Sequence, residues 1–290
     1  IPDPATTMNA LIAGEIDFWE TPSPDLVPGM EGNPDITIKV IDPLGTQGWL
    51  RPNHLNPPFD NPKARQALLH MVKQEHYLQA IIGDEKFWRA CGAYFMCDTP
   101  LDSDVGAGPL MNQDLEMARK LLKEGGYNGE TLILMDPTDI PVLHGASLVT
   151  AQMLRKIGAK VEVQAMDWST LTSRRAETKS IADGGWNIFH TYSTGADVAS
   201  PIANIGVSGG CVEEAWFGWP CDKMLEDLRD QFSRESDPAK QVEIGIALQK
   251  RAYEVVPYVN YGQWFQPTAY RTSLKGVLIS PVPFFWNIEK

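Results

Sequence analysis

At 290 residues the chain is long enough for about two compact units with a core of ordinary size, so neither a metal nor a disulfide is needed merely for folding. Its 43% hydrophobic and 21% charged residues match a globular protein, and no apolar run approaches the roughly 18 residues that span a bilayer. Lys and Arg number 25 against 37 Asp and Glu, and the net charge of −12 argues against a nucleic-acid surface, which needs clustered basic residues.

Met8, Leu11 and Ile12 predict a helix over 6–13 that Gly14 closes. Residues 16–19 read as a short strand, 22–29 as proline-rich turns, and 36–41 as a second strand. Extended, proline-dense chain follows over 47–58. Asn61-Pro62 opens a helix with Ala64, Ala67, Leu68 and Met71 on one face. A second helix, 74–82, stops at Gly83. Residues 84–110 are weakly periodic, rich in Gly, Pro and Asp, and read as loop. Then come a helix over 112–124 with Asn112 at its N-cap, a buried strand over 131–135, and a helix over 142–157 ended by Gly158. Val161 and Val163 alternate with Glu162 and Gln164 in a half-buried strand over 160–165. Asp167 caps a helix over 168–178, and 186–189 is a strand. Helices over about 222–233 and 238–255 precede short strands around Pro257, Pro267, Pro281 and Pro283.

The stretch 184–220 breaks this order. Trp186, Phe189, Tyr192, Trp216, Phe217 and Trp219 alternate there with glycines and hydroxyls, the composition of either a concave small-molecule site or aromatic plugs under a loop. Helices and strands alternating over 112–189 predict an α/β lobe with a partly parallel sheet. Proline-rich joints at 43–58 and 256–267 are candidate crossings between two lobes.

Catalytic and cofactor motifs are missing: no GxSxG elbow, Walker loop or HExxH occurs, and Pro109 breaks the only Gly-x-Gly run. Hence no cofactor, no catalytic residue and no metal ligand are expected. Asp98, Asp102 and Asp104 miss the calcium-loop spacing and read as turn formers. His190 follows a strand, where α/β sheets place ligand contacts. Cys91 with Cys97 and Cys211 with Cys221 form two local pairs, which suit short disulfides of an oxidising compartment better than zinc, since neither pair has CxxC spacing.

Several collinear segments resemble the extracellular solute-binding proteins of family 5, which serve ABC importers for peptides and nickel. Met8-Asn9-Ala10-Leu11-Ile12-Ala13-Gly14-Glu15-Ile16-Asp17 is similar to that family's opening signature. Pro57-Pro58-Phe59-Asp60-Asn61-Pro62-Lys63-Ala64-Arg65-Gln66-Ala67-Leu68 resembles its most specific helix start. Residues 118–127 and 154–161 resemble two further segments, and Val256-Pro257 with Arg271 and Gly276 fits the closing one. The resemblance implies a periplasmic-binding-protein-like fold of type II (cluster C), of which this chain is the C-terminal portion: 1–48 part of lobe I, 49–259 lobe II with the cleft half, and 260–290 a return into lobe I. No signal peptide stands at Ile1-Pro2-Asp3-Pro4, and the non-methionine start fits a chain cut from a longer protein.

The resemblance further implies a non-catalytic, monomeric carrier of an oligopeptide or other small polar solute. Such a carrier is periplasmic or extracellular, anchored as a lipoprotein in a Gram-positive cell, and delivers cargo to an ABC permease. In peptide-binding members an aspartate after the strand at 186–189 takes the peptide's ammonium. Ser193 stands in that place here, and Asp197, four residues on, is the substitute that a shift of the loop would supply. The expected ligand set is therefore His190, Thr191, Tyr192, Ser193, Asp197 and Trp216, with Gln47, Trp49 and Asn53 at the first crossing. The alternatives are a hydrolase using His190 or a cysteine, a scaffold with a degraded cleft, and a binder of sugar, opine or metal complex.

Overall fold

The computed structural model describes residue 1 and residues 3–290. Its helices are α1 (Pro4–Ala13), α2 (Pro62–Met71), α3 (Gln74–Ile81), α4 (Gly108–Met111), α5 (Leu115–Glu124), α6 (Pro141–Lys156), α7 (Trp168–Arg174), α8 (Gly195–Val198), α9 (Cys211–Glu214), α10 (Lys223–Arg234) and α11 (Pro238–Val255). Its strands are β1 (Phe18–Trp19), β2 (Ile36–Val40), β3 (Thr46–Pro52), β4 (Trp88–Arg89), β5 (Thr131–Pro137), β6 (Lys160–Met166), β7 (Ile188–Thr194), β8 (Val259–Trp264) and β9 (Pro267–Arg271).

Local chemistry sets the helix starts. Asp3, Asn61, Asp114, Asp167, Asp222 and Asp237 each place a side-chain oxygen on a first-turn amide, worth about 1 kcal/mol apiece. Asp114 caps α5, not the expected Asn112. The preceding residues close a short helix of their own, and Asn112 Nδ2 donates to the Gly108 carbonyl within it. The helix begun by Trp168 ends at Arg174, short of 178. The loop over 84–110 contains α4 and β4, and both expected cysteine pairs are disulfides.

Two sheets result. The small one is antiparallel, in the order β1-β9-β2; the large one runs β4-β8-β3-β7-β5-β6. Within it β5 is parallel to β6 and β7, while β3 is antiparallel to β7 and β8, so the sheet is mixed. The strand expected over 186–189 starts two residues later and runs on to Thr194, because β3 pairs with it along its full length, from Pro52↔Ile188 to Thr46↔Thr194. Asn187 sits outside the strand and uses its side chain instead: Oδ1 accepts from Ile133 N at 2.8 Å and Nδ2 donates to Pro57 O at 3.0 Å.

Side-chain alternation then builds one core on each face of the large sheet. Leu132, Leu134 and Ile188 face α6 in the main core, while Ile133, Met135 and Phe189 face Leu171, Trp186 and Trp219. Each such aliphatic side chain contributes roughly 1.5–3 kcal/mol by its burial. A third, small cluster of Leu11, Met30, Ile36 and Ala269 belongs to the small sheet.

The chain passes between the sheets twice. Divisions at 48/49 and 259/260 would cut β3 and β8, yet both strands lie whole in the large sheet, which moves the passages to 41–45 and 265–266. The two ends of the chain meet beside the small sheet, where Phe18 packs edge-on against Phe285 and Lys290 reaches Asp17.

Candidate functional site

β7 organises the stretch from which a site was expected. Ile188, His190 and Tyr192 face α6, and Phe189, Thr191 and Ser193 face the other way. The side chain of His190 is completely enclosed. Ser147 Oγ donates to Leu143 O, so it accepts from His190 Nδ1 at 3.3 Å; Nε2 in turn accepts from Thr150 Oγ1 at 2.8 Å, which Tyr77 OH bonds from behind at 2.8 Å. Burial drives the imidazole down to a pKa of about 3, so it is neutral at ordinary pH. His190 is a buried pillar under α6, with both ring nitrogens bonded to hydroxyls of that helix.

The residues expected at the first crossing lie in β3 or just after it and are enclosed as well. Gln47 Oε1 accepts from Trp49 Nε1 and Tyr258 OH, both at 2.9 Å, while its Nε2 donates to Ala93 O at 3.0 Å. Trp49 stacks on Tyr258 with centroids 4.5 Å apart. Asn53 Nδ2 donates to Trp186 O and Asn53 Oδ1 accepts from Leu55 N. Gln47, Trp49 and Asn53 are buried in these contacts, so none of them presents a side chain to a cleft. Thr191 is buried too, and its carbonyl accepts from Tyr261 OH. Trp216 is a half-buried wall piece whose ring meets Trp49, Phe189 and Phe217.

Arg51, not foreseen as important, fixes that wall. It donates to the carbonyls of Gly206, Trp216, Phe217 and Pro257 and is wholly buried. Its position between Leu50 and Pro52 in an extended run, where a charge has no business unless it is paired, was the available signal.

Exposure reappears at the end of β7. Tyr192 is 45% exposed, Ser193 and Thr194 are half-buried, and Asp197 is open to solvent. Thr194 caps α8: its Oγ1 donates to Asp197 Oδ2 at 2.8 Å and accepts from Asp197 N at 3.3 Å. This fixes the carboxylate just beyond the C-terminal end of a strand that is parallel to β5. Open α/β sheets offer their ligand crevice at such ends.

Beside Tyr192 a groove of about 260 Å³ separates the two sheets. Thr21, Pro22, Ser23 and Pro24 form one wall; Thr46, Tyr192, Trp264 and the start of α6 at Pro141 and Val142 form the other. It continues past Ser23 and Val142 into a wider trough of about 600 Å³ that reaches the end of α3. Of the expected ligand residues only Tyr192 lines it. Among the described residues no group of three His, Cys, Asp or Glu is placed to hold a metal ion, and no helix is long and apolar enough to cross a membrane.

Comparison with known proteins gives this geometry its setting. The family described as bacterial extracellular solute-binding proteins, family 5 Middle, matches residues 1–211. The probable peptide ABC transporter periplasmic-binding protein y4tO of Sinorhizobium fredii is 35% identical over 289 residues, which are 99% of this chain and 54% of that protein. The oligopeptide-binding protein AppA of Bacillus subtilis is 25% identical, over 100% of this chain and 54% of its own length. The chain thus spans about half the length of the curated relatives it matches. Among solved structures, the periplasmic binding protein DppA of Helicobacter pylori in complex with peptide STSA superimposes with a TM-score of 0.81 at 22% identity, covering 99% of this chain and 55% of that one. The binding protein AgaA of A. tumefacien R10, in complex with agropinic acid, gives 0.80 at 21%, covering 96% and 55%. At these identities the structures show a shared fold, that of the type II periplasmic binding proteins.

Proposed function

Because the chain belongs to the bacterial extracellular solute-binding proteins of family 5, we propose that it is the cleft-forming half of the substrate-binding component of an ABC importer. In this reading the large sheet is the second lobe, the small sheet is part of the first, and the passages at 41–45 and 265–266 are the hinges about which the lobes close on cargo. The protein then works outside the cytoplasmic membrane, as a monomer, and hands its cargo to a permease. Any leader or lipid anchor belongs to the same proposal.

The observation that carries the reading is the open end of β7: Tyr192 lines the groove, and the turn that carries the exposed Asp197 is bonded to the first passage through Gly195 N and Gly45 O. A carboxylate held by its own turn suits a cationic group, and the names of the Sinorhizobium and Bacillus relatives point to peptides, whose amino termini are such groups. The cargo we propose is therefore an oligopeptide, with Asp197 taking the ammonium and Tyr192 lining the groove beside it. His190, Gln47, Trp49 and Asn53 have no part in it. A hydrolase is disfavoured on the same ground: both ring nitrogens of His190 are occupied by hydroxyls, and the four cysteines are paired. A non-peptide solute such as an opine is the second reading, favoured by Ser193 where the resemblance implied an aspartate.

Calorimetric titration of the intact protein with di-, tri- and oligoalanine tests the assignment. Saturable heat with at least one peptide is expected. Binding of an opine but of no peptide would move the assignment to the second reading, and silence toward both would overturn the carrier function.

A further inference from the structure

The register of β3 on β7 ends at Thr46↔Thr194, and one more rung follows it: Gly195 N donates to Gly45 O at 2.6 Å. That rung joins two pieces of chain with different duties. Gly195 is the first residue of α8, two before Asp197; Gly45 is the last residue of the ascending passage between the sheets. We propose that Gly195 is a positioning residue that latches the turn carrying Asp197 onto this passage, so that a cationic group bound at Asp197 is felt where the two lobes hinge. The inference deepens the carrier reading and rests on it for the role of Asp197, although the latch itself does not.

Three observations support a latch rather than a chance contact. First, the approach is too close for any side chain. A Cβ on Gly195 would overlap Leu44 Cβ and lie 2.8 Å from the Leu44 carbonyl oxygen, so glycine is required by proximity, not by backbone angle. Second, the other side of the passage is fastened as well. Leu44 O accepts from Gln263 Nε2 at 2.7 Å, and Gln263 Oε1 accepts from Arg89 Nε at 3.0 Å. Third, Gly45, at φ 66°, has no room for a side chain, since a Cβ there would overlap the Trp264 carbonyl oxygen, and Thr46 pairs with both Thr194 and Trp264. The ascending passage, the start of the descending one and the Asp197 turn thus meet within three residues. Moving any one of them strains the other two.

Hydrogen exchange on the intact, ligand-free protein tests this. Gly195→Ala should raise exchange at 42–46 and 194–198 together, by about tenfold or more (about 1.4 kcal/mol of lost protection), with β5 and β6 unchanged. Thr194→Val, which removes only the hydroxyl that holds Asp197, should raise it at 195–198 alone. If Gly195→Ala does not fold, the wild-type protein in low denaturant decides: a latch makes 42–46 and 194–198 open with one free energy. Wild-type rates at 42–46 in Gly195→Ala, or separate opening energies for the two segments, would overturn it. Failure of peptide titration, by contrast, would remove the role of Asp197 and leave these exchange results standing.

Discussion

Arg51 and Trp216 hold one another in place: the guanidinium carbon lies 5.3 Å from the Trp216 ring centroid, and one amino group donates to the Trp216 carbonyl at 3.2 Å. Three further donors go to Phe217 O and Gly206 O, both at 2.6 Å, and to Pro257 O at 2.9 Å. No carboxylate is among these acceptors, and burial pulls the group down to about 9 from the ordinary arginine value. Oriented carbonyl dipoles keep the charge in place. Arg51→Met should therefore destabilise by about 3–5 kcal/mol, because it leaves those carbonyls without donors inside the protein. Arg51→Lys should lose nearly as much, since a point ammonium cannot span a fork. Urea unfolding followed by tryptophan fluorescence measures both; a lysine variant as stable as wild type would contradict the account.

Enclosed His190 and half-buried His54 make an acid-stability prediction whose sign is fixed. The pKa of His190 is about 3 in the fold and about 6.5 when the chain is open, so between those values the unfolded chain binds a proton that the folded one refuses. Stability then falls as pH drops from about 6.5 toward 3, by up to about 1.4 kcal/mol per pH unit for this residue. His54 acts in the same direction: burial first, then Arg65 and Arg51, lower it well below the usual value. His190→Asn should lose about 1–2 kcal/mol at neutral pH through broken hydrogen bonds, yet show a shallower decline on acidification. Denaturant midpoints at several pH values between 4 and 7 separate the two effects, and an unchanged slope would refute the assignment.

The disulfides differ in access. Cys91 is buried, with its amide donating to Gln74 Oε1 and its carbonyl accepting from Gln74 Nε2 and Asn260 Nδ2, whereas Cys221 is exposed. Exchange requires a thiolate to reach a sulfur. Mild reduction of the folded protein followed by alkylation and peptide mapping should therefore label Cys211 and Cys221 first. Labelling of Cys91 and Cys97 first would show that the loop around Cys91 opens more readily than its contacts imply.

The sequence made the fold more legible than the site, and the difference has a physical cause. Helix stripes such as Ala64, Ala67, Leu68 and Met71, and caps such as Asn61 and Asp167, act within a few residues, so a local pattern suffices to read them. Whether a polar residue is enclosed or open depends on distant partners. The place of His190 after a strand suggests a ligand contact, but the hydroxyls that enclose it come from α6, some forty residues earlier. Gln47 and Trp49 lie inside β3, beyond the passage at 41–45, and Tyr258 and Ala93, distant in the chain, enclose Gln47. The groove walls at Pro22, Val142 and Trp264 come from three separate parts of the chain that no spacing connects.

Asp197 is the residue on which the proposed cargo turns. It is solvent-exposed, its hydrogen bonds are to Thr194 within its own turn, and it bears no share of either core. Asp197→Asn should therefore leave thermal unfolding within about 0.5 kcal/mol of wild type. It keeps the shape of the side chain but removes the charge, so binding of a free-amine peptide should weaken about 30-fold, the ~2 kcal/mol of a charge-assisted pair. An N-acetylated peptide has no ammonium to offer, and its affinity should be poor and alike for both proteins. Titrating the same two peptides into wild type and variant completes the comparison. If the variant loses the free and acetylated forms equally, Asp197 shapes the turn without reading the charge; if it loses neither, the ammonium is held elsewhere in the cleft.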